Sequence, residues 1–389
     1  MKTTSITSSL PPELRGLTTL KFPVTLTNVY DEKAHAISFY FSRASFSEAS
    51  HEEEVLNAKH LVNRVKTKCS SEGDTADLSR DLAMILEVEQ QIRATPARFK
   101  AVFACGKKQI WQEYDLPICE NVSRLEVATH FQLVPLLRAL ESCTPYCVVI
   151  VENGKAKGFL IHGAEIDELD ARLPAADLSV HADDSRVGWS HHIDSNVSER
   201  RKAYMRELAA DLHRLLQGTN CEHLVIGCRE EVWSELEPEL DKAGLAAMVA
   251  GRFHLASFDL TPAGILQAAR PVFDEWQREY YAEFWLKVRE QPTHSAVGVE
   301  PVLRSLESGR VQKLCLGNVP DTELYACAGC NTWWSKADEK CPACGNADVY
   351  AIAADELLLR KALLTDAEIL APDAAIAASL DPVGALLRY

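Results

Sequence analysis

Four cysteines carry the clearest chemistry in the chain. Cys327, Cys330, Cys341 and Cys344 lie in CAGCNTWWSKADEKCPAC with the spacing C-x2-C-x10-C-x2-C. Each C-x-x-C presents two thiolates on one side of a tight knuckle, and two knuckles complete a tetrahedral four-sulfur shell that suits Zn2+. Gly329 and Gly345 give the knuckles the turn freedom they need. Thiolate fills every position, so no site is left for water or substrate and a structural zinc ion is expected, not a catalytic one. The other fates of such a cluster are two disulfides or an iron–sulfur centre. A reducing compartment disfavours the first, and the spacing is that of zinc ribbons. Trp333 and Trp334 occupy the ribbon loop, where one of them is expected to pack underneath.

A second crowded stretch is SRVGWSHHIDSNVSERRK, residues 185–202. Gly188-Trp189-Ser190 resembles the start of a nucleophile elbow. That motif requires a second glycine two residues after the serine, where the chain has His192, and a buried strand leading in, where it has HADDSRV. A serine hydrolase is not expected. His191 and His192 are adjacent and would point apart on an extended backbone, so solvated histidines are favoured over a metal site, although His181 or Asp183 offers a third ligand. Among 56 Asp and Glu residues no pair stands out for acid–base work. Two basic clusters lie on helical stretches: Arg64, Lys66 and Lys68, and Arg200, Arg201, Lys202 and Arg206. Each is either a solvated helix face balanced by acids or a phosphate-facing surface.

These residues sit in a chain of 389 residues, long enough for two or three domains. An apolar fraction of 47% and a charged fraction of 25% are those of globular protein. The formal charge of −15 argues against non-specific coating of nucleic acid, which depends on neutralising phosphates. The N-terminal stretch lacks an apolar signal region and the longest apolar runs are strand-length, so a cytoplasmic protein is expected. Cys105, Cys147, Cys228 and Cys315 lie in apolar runs, as reduced buried thiols do.

Strand and helix signals alternate, which predicts an α/β chain. AHAISFYF (34–41) and FKAVFACG (99–106) read as strands around two helical stretches joined by SSEGD (70–74). YCVVIVENGKAKGFLIHG is a hairpin about Asn-Gly, and residues 165–195 read as polar and irregular. A helix is predicted from Asn196, which has capping-box spacing to Glu199, with Tyr204, Leu208, Leu212 and Leu215 as its apolar stripe. HLVIGC (223–228) is a strand and EEVWSELEPELDKAG a helix. Thr261 and Pro262 open a long helix in which Pro271 predicts a break or kink.

Taken in order, these landmarks resemble the archaeal and eukaryotic class-one peptide release factor family, with its relative Pelota and their bacterial homologues. FKAVFACG resembles the strand before the family's middle domain, and THFQLVPLLRALESCTPYCVVIVENGKAKGFLIHG its entry into that domain. GVEPVLRSLESGRVQKLCLG is similar to the helix and strand before a small inserted subdomain, and the cysteines fall where archaeal members carry paired cysteines. VGALLRY resembles the closing glycine-rich strand. The resemblance implies an N-terminal α/β decoding-site-like domain (1–140), a ribonuclease H-like middle domain (141–270) and an L30e-like domain (271–389) with a zinc ribbon inserted at 324–349.

It also places Arg186, Val187, Gly188, Trp189, Ser190, His191 and His192 at the middle-domain tip, where the family has Arg-Gly-Gly-Gln-Ser. Arg186, Gly188 and Ser190 match; Val187 replaces a glycine and Trp189 the glutamine. A β-branched residue disfavours the open backbone angles of such a tip, and an indole has one donor and no amide oxygen to position water. What remains is binding: a tip tryptophan can stack on a base, worth roughly 1–3 kcal/mol, with Arg200, Arg201, Lys202 and Arg206 facing phosphate behind it. The expected function, similar to that of Balon-type bacterial hibernation factors, is occupation of the A site of idle or stalled ribosomes, in hibernation or rescue and without hydrolysis. The alternative is peptidyl-tRNA hydrolysis by a displaced tip residue such as Ser190 or His191. Expected partners are the ribosome and its rRNA, and a translational GTPase such as EF-Tu or a related factor. Neither membrane nor DNA is expected as a partner, and the chain is expected to be a monomer.

Overall fold

The computed structural model describes residues 24–27, 29–31, 35–42, 48–69, 76–91, 99–116, 123–152, 154–169, 173–176, 190–219 and 221–389. The chain divides into two compact units, one of residues 144–280 and one drawn from residues 10–143 together with 281–389. No helix among the described residues is long and apolar enough to cross a membrane.

After the short α1 (Val24–Thr27), the strand β1 (Ala36–Ser42) is apolar along almost its whole length, which a strand covered on both faces requires. Helices α2 (Glu48–Cys69) and α3 (Ala76–Gln91) follow, then β2 (Phe99–Cys105), β3 (Ile110–Leu116) and β4 (Arg124–Ala128). The four strands form an antiparallel sheet in the order β3-β2-β1-β4. Ile37, Phe39 and Phe41 face one core with Ala58, Val62, Leu78, Leu82 and Ile85 of α2 and α3. Ala36 and Tyr40, alternating with them, belong to a different core. Helix α4 (Val134–Ser142) closes this segment and buries Val134, Leu136, Leu137 and Ala139.

In the unit of residues 144–280, β5 (Tyr146–Glu152) and β6 (Lys155–His162) pair as an antiparallel hairpin, with Glu152 opposite Lys155, as the sequence predicts. The polar stretch after it begins with a further strand, β7 (Glu165–Leu169), antiparallel to β6. Helix α5 (Ser190–Thr219), β8 (Leu224–Cys228), α6 (Glu230–Lys242), β9 (Val249–His254) and α7 (Pro262–Glu290) complete the unit, α7 running on into the other. The order β7-β6-β5-β8-β9 joins an antiparallel meander to two parallel strands, the ribonuclease H-like arrangement. Cys147, Val149 and Val151 pack against Tyr204, Leu208, Leu212 and Leu215 of α5 and Leu236 and Leu240 of α6. Tyr146, Val148 and Ile150, on the opposite face, meet Ile265, Ala269 and Phe273 of α7. The long helix continues through Pro271 without a break. Pro271 and Gln267, whose carbonyl loses its donor, are both exposed, so water can satisfy the freed oxygen.

The last segment contains β10 (Ser295–Val297), α8 (Val299–Glu307), β11 (Val311–Leu316), an inserted ribbon of β12 (Glu323–Cys327), β13 (Trp333–Trp334) and β14 (Val349–Ala353), then α9 (Ala354–Leu364), β15 (Glu368–Leu370), α10 (Ala374–Ala377) and β16 (Val383–Leu387). Its main sheet has the order β10-β16-β11-β15, with only β11 and β15 parallel. Leu303, Leu314, Leu358 and Val383 share one continuous core with Tyr40, Phe103, Phe131 and Leu137 of the first segment.

Two buried ionisable residues on α9 hold that junction. Leu133 and Val134 donate their backbone N–H groups to Glu356 Oε1 at 2.6 and 2.7 Å, so the carboxyl caps the start of α4. Arg360 donates to the carbonyl oxygens of Phe131, at 2.7 Å, and Thr27. Burial, reinforced by neighbouring Asp355 and opposed by Arg360 and the two N–H groups, pushes the Glu356 carboxyl up to about 8. The folded chain therefore keeps a proton that the unfolded chain releases above about 4.5, and this residue's contribution to stability falls as pH rises from about 4.5 to about 8. Glu356→Gln retains an oxygen for both N–H groups, and its urea-unfolding free energy should lose this pH dependence. Glu356→Ala should cost roughly 2–4 kcal/mol at pH 6, since it strands two buried donors.

Candidate metal centre and basic helix

The ribbon is a three-stranded antiparallel sheet, β13-β12-β14, and its two knuckles are built alike. Asn331 N–H donates to the Cys327 carbonyl and Gly345 N–H to the Cys341 carbonyl, both at 2.9 Å. Both donors lie in the left-handed region, Asn331 at φ 58° and Gly345 at φ 73°, conformations that these two residue types tolerate best. Cys327 N–H donates to the Thr332 carbonyl at 3.0 Å and Cys341 N–H to the Asn346 carbonyl at 2.8 Å. The repeat of this pattern turns all four sulfurs to one point.

The four Sγ atoms lie within 4.8 Å of one another. Cys327 and Cys344 approach to 3.6 Å and Cys330 and Cys341 to 3.5 Å. A tetrahedral ion with metal–sulfur bonds of about 2.3 Å sets sulfur separations of about 3.8 Å, so the donor set fits such a metal. Gly329 N–H points at Cys327 Sγ from 3.4 Å and the Thr332 hydroxyl lies 3.3 Å from Cys330 Sγ, contacts that favour thiolate. The Thr332 hydrogen bonds, side chain first, draw the Cys330 thiol down to about 6. Cys327 and Cys341 are buried, whereas Cys330 and Cys344 face outward.

The ribbon is attached to its base at several points. Ala354 N–H donates to the Thr322 carbonyl at 2.9 Å, closing the insertion where α9 begins. Lys361, two turns along α9, donates to the Asn331 carbonyl at 2.6 Å and pairs with Glu307 at 3.3 Å. Trp333 and Tyr350 pack against the shared core, and both Trp333 and Trp334 are half-buried. Their indole N–H groups have no hydrogen-bond partner among the described residues.

The other candidate residues distribute differently. Arg186, Val187, Gly188 and Trp189 lie outside the described residues. Ser190, His191 and His192 form the first turn of α5, so the helix begins six residues before Asn196 and the Asn196–Glu199 spacing falls inside it. The side chains of Ser190, His191 and His192 lie outside the described residues.

The four basic residues are not equivalent. Arg201 pairs with Glu235 of α6 at 3.3 Å and Arg206 with Glu239 at 3.8 Å. Arg200 and Lys202 are exposed and make no ion pair among the described residues. Sequence periodicity places all four on α5 but says nothing of the acidic helix beside it. Glu356 and Arg360, both buried, have no signal of their own in the run DELLLRKALL.

The molecule is thus a mixed α/β protein with a four-thiolate ribbon on one unit and a ribonuclease H-like sheet in the other. Residues 132–273, which span α4 and most of that sheet's unit, match the family described as bacterial archaeo-eukaryotic release factor family 10. Over that segment the chain is release-factor-like. Among solved structures it is similar to an archaeal translation termination factor, with 16% identity over 96% of this chain and 98% of that one and a TM-score of 0.25. It is also similar to Pelota from Archaeoglobus fulgidus, with 14% identity over 75% and 79% of the two chains and a TM-score of 0.30. Ribosome-bound archaeal Pelota gives 10% identity over 75% and 77% and a TM-score of 0.37. No curated protein matches the sequence.

The geometry predicts a measurable role for Gly329. A methyl group there would approach Asn346 Nδ2 to 2.5 Å, across the two knuckles. The amide can swing aside at the loss of its bond from Asp348 N–H, so Gly329→Ala should weaken metal retention only about two- to threefold in a chelator competition followed by metal analysis, while Cys341→Ser should abolish retention.

Proposed function

We propose that this chain is a ribosome-associated, release-factor-like protein that occupies the A site of idle or stalled ribosomes. It acts in hibernation or rescue and does not itself hydrolyse the peptidyl-tRNA ester. The observation that carries this reading is the family match over residues 132–273; we take residues 186–192 as the tip of that segment, with Val187 and Trp189 where the resemblance puts glycine and glutamine. Trp189 supplies a stacking face and one donor, suited to holding a base and unsuited to positioning a nucleophilic water. Arg200 and Lys202 are the two cations of α5 left for phosphate, Arg201 and Arg206 being paired to α6.

The organisation that fits is a decoding-site-like segment 1–140, a middle domain 141–270 carrying the tip, and a segment 271–389 that contacts a translational GTPase of the EF-Tu class. The ion at Cys327, Cys330, Cys341 and Cys344 is Zn2+, and it is structural: it fixes the two knuckles and leaves no coordination position free. The protein works in the cytoplasm as a monomer, with neither DNA nor membrane as a partner.

Purified chain should cosediment with 70S particles in moderate salt, and failure to do so overturns ribosome association. Trp189→Ala should weaken that binding by about tenfold, in line with the loss of one stacked base. Stalled ribosomal complexes should keep their peptide when the protein is added. Peptide release that disappears in Ser190→Ala or His191→Ala would instead identify the displaced-residue hydrolase.

A further inference from the structure

Helix α6 carries six acids in thirteen residues, and the structure divides them into two groups. Glu230 pairs with Arg252 at 2.6 Å, Glu235 with Arg201 at 3.3 Å, and Glu239 with Lys242 at 2.6 Å and Arg206 at 3.8 Å. Glu237 and Asp241, one turn apart and both exposed, form no ion pair among the described residues, and only the more distant Arg252 charge acts on Glu237. These two line a surface groove of about 480 Å³ whose remaining walls are Trp233, Pro238, Leu240, Ala246 and Val249. The groove is therefore apolar within and acidic along one rim.

Two further features define what fits it. The Arg252 guanidinium stands 5.3 Å from the Trp233 ring centroid, so the aromatic wall of this groove already holds one cation of the chain. Pro238 has no N–H, so the Ser234 carbonyl one turn back lacks its helical donor; both residues are exposed. The rim therefore offers two carboxylates that form no ion pair, beside an apolar interior whose aromatic wall is of a kind that tolerates a cation. A neutral apolar ligand would leave the carboxylates unanswered, and an anionic one would be repelled.

We infer that this groove docks a basic peptide segment of a protein partner, one that places an aliphatic side chain inside and lysine or arginine against Glu237 and Asp241. Carboxylates one helical turn apart are about 6 Å apart, close to the spacing of residues i and i+2 in an extended strand. An extended segment with alternate basic residues therefore matches the rim. This inference does not depend on ribosome association, since it rests on a surface of one unit alone.

The test uses the full chain and a fluorescein-labelled hexapeptide of sequence Arg-Leu-Arg-Val-Lys-Leu, followed by fluorescence anisotropy. Saturable one-to-one binding is expected, absent for the same peptide with glutamate in place of its basic residues. Glu237→Lys and Asp241→Lys should each weaken binding by about tenfold, and Trp233→Phe should weaken it less. Glu231→Lys reverses a charge on the same helix outside the groove and should leave binding within twofold of wild type. Equal losses in Glu231→Lys and Glu237→Lys would reduce the effect to net charge and overturn the proposal. So would sedimentation showing a dimer that Asp241→Lys dissociates, since the occupant would then be a second copy. Thermal melts of each variant separate lost docking from lost folding.

Discussion

The burial of Glu356 and Arg360 on α9 is the constraint on which the larger unit depends. Both side chains reach out of the last segment to backbone groups of the first: the carboxyl to the N–H groups of Leu133 and Val134, the guanidinium to the carbonyls of Phe131 and Thr27. Neither can leave its partners without exposing unpaired polar groups to an apolar interior. Residues more than two hundred positions apart are thereby held in one core, and a carboxyl oxygen accepts from the first free N–H groups of α4. The same burial holds neighbouring His130 neutral, pushing its imidazole down to about 3, with the Arg360 charge adding to the effect. Tyr40 donates its hydroxyl to the Gln132 carbonyl from the facing sheet, so the segment 131–134 is bonded from both sides.

The ribbon depends on the same helix. It is inserted between β11 and α9, its last strand runs directly into α9, and Lys361 of α9 binds the Asn331 carbonyl in the first knuckle. One turn of α9 thus faces the junction through Arg360 while the adjacent Lys361 faces the metal centre. Four converging cysteines of the ribbon are compatible with a metal ion, and the bonds to α9 fix where that sheet stands on its own unit. The release-factor-like unit has a different logic. Its sheet is covered on both faces, and α5 lies along it, beginning at Ser190 and carrying Arg200 and Lys202 on its outer side.

Much of this was legible in the chain itself where a local rule was sufficient. The cysteine spacing named all four sulfurs that converge, because knuckle geometry is set within a few residues. The stripe Tyr204, Leu208, Leu212 and Leu215 is buried as its period demands, and Thr261 accepts from Gly264 N–H at the start of α7. Local rules failed where the deciding partner was distant or where two local signals competed. Pro271 signals a break or kink, and there is no break: the helix continues through it, with Gln267 and Pro271 both exposed so that water can reach the freed carbonyl. Asn196 signals a cap, yet Ser190 opens the helix one and a half turns earlier. The strand β7 has too little apolar content to announce itself and exists because β6 offers it an edge.

By itself, then, the sequence determined which four cysteines converge, the strand-and-helix alternation and the apolar face of each long helix, since these follow from spacing and period along the backbone. Only the tertiary structure decided which charges are available and which are consumed. Arg201 and Arg206 look identical to Arg200 and Lys202 in the chain, and differ only because α6 brings Glu235 and Glu239 beside them. Glu356 and Arg360 look like ordinary helix-surface residues, and become the buried centre of a unit because the core closes over them from two ends of the chain. Charge–charge and buried hydrogen-bond interactions act through space, over distances that residue order does not encode.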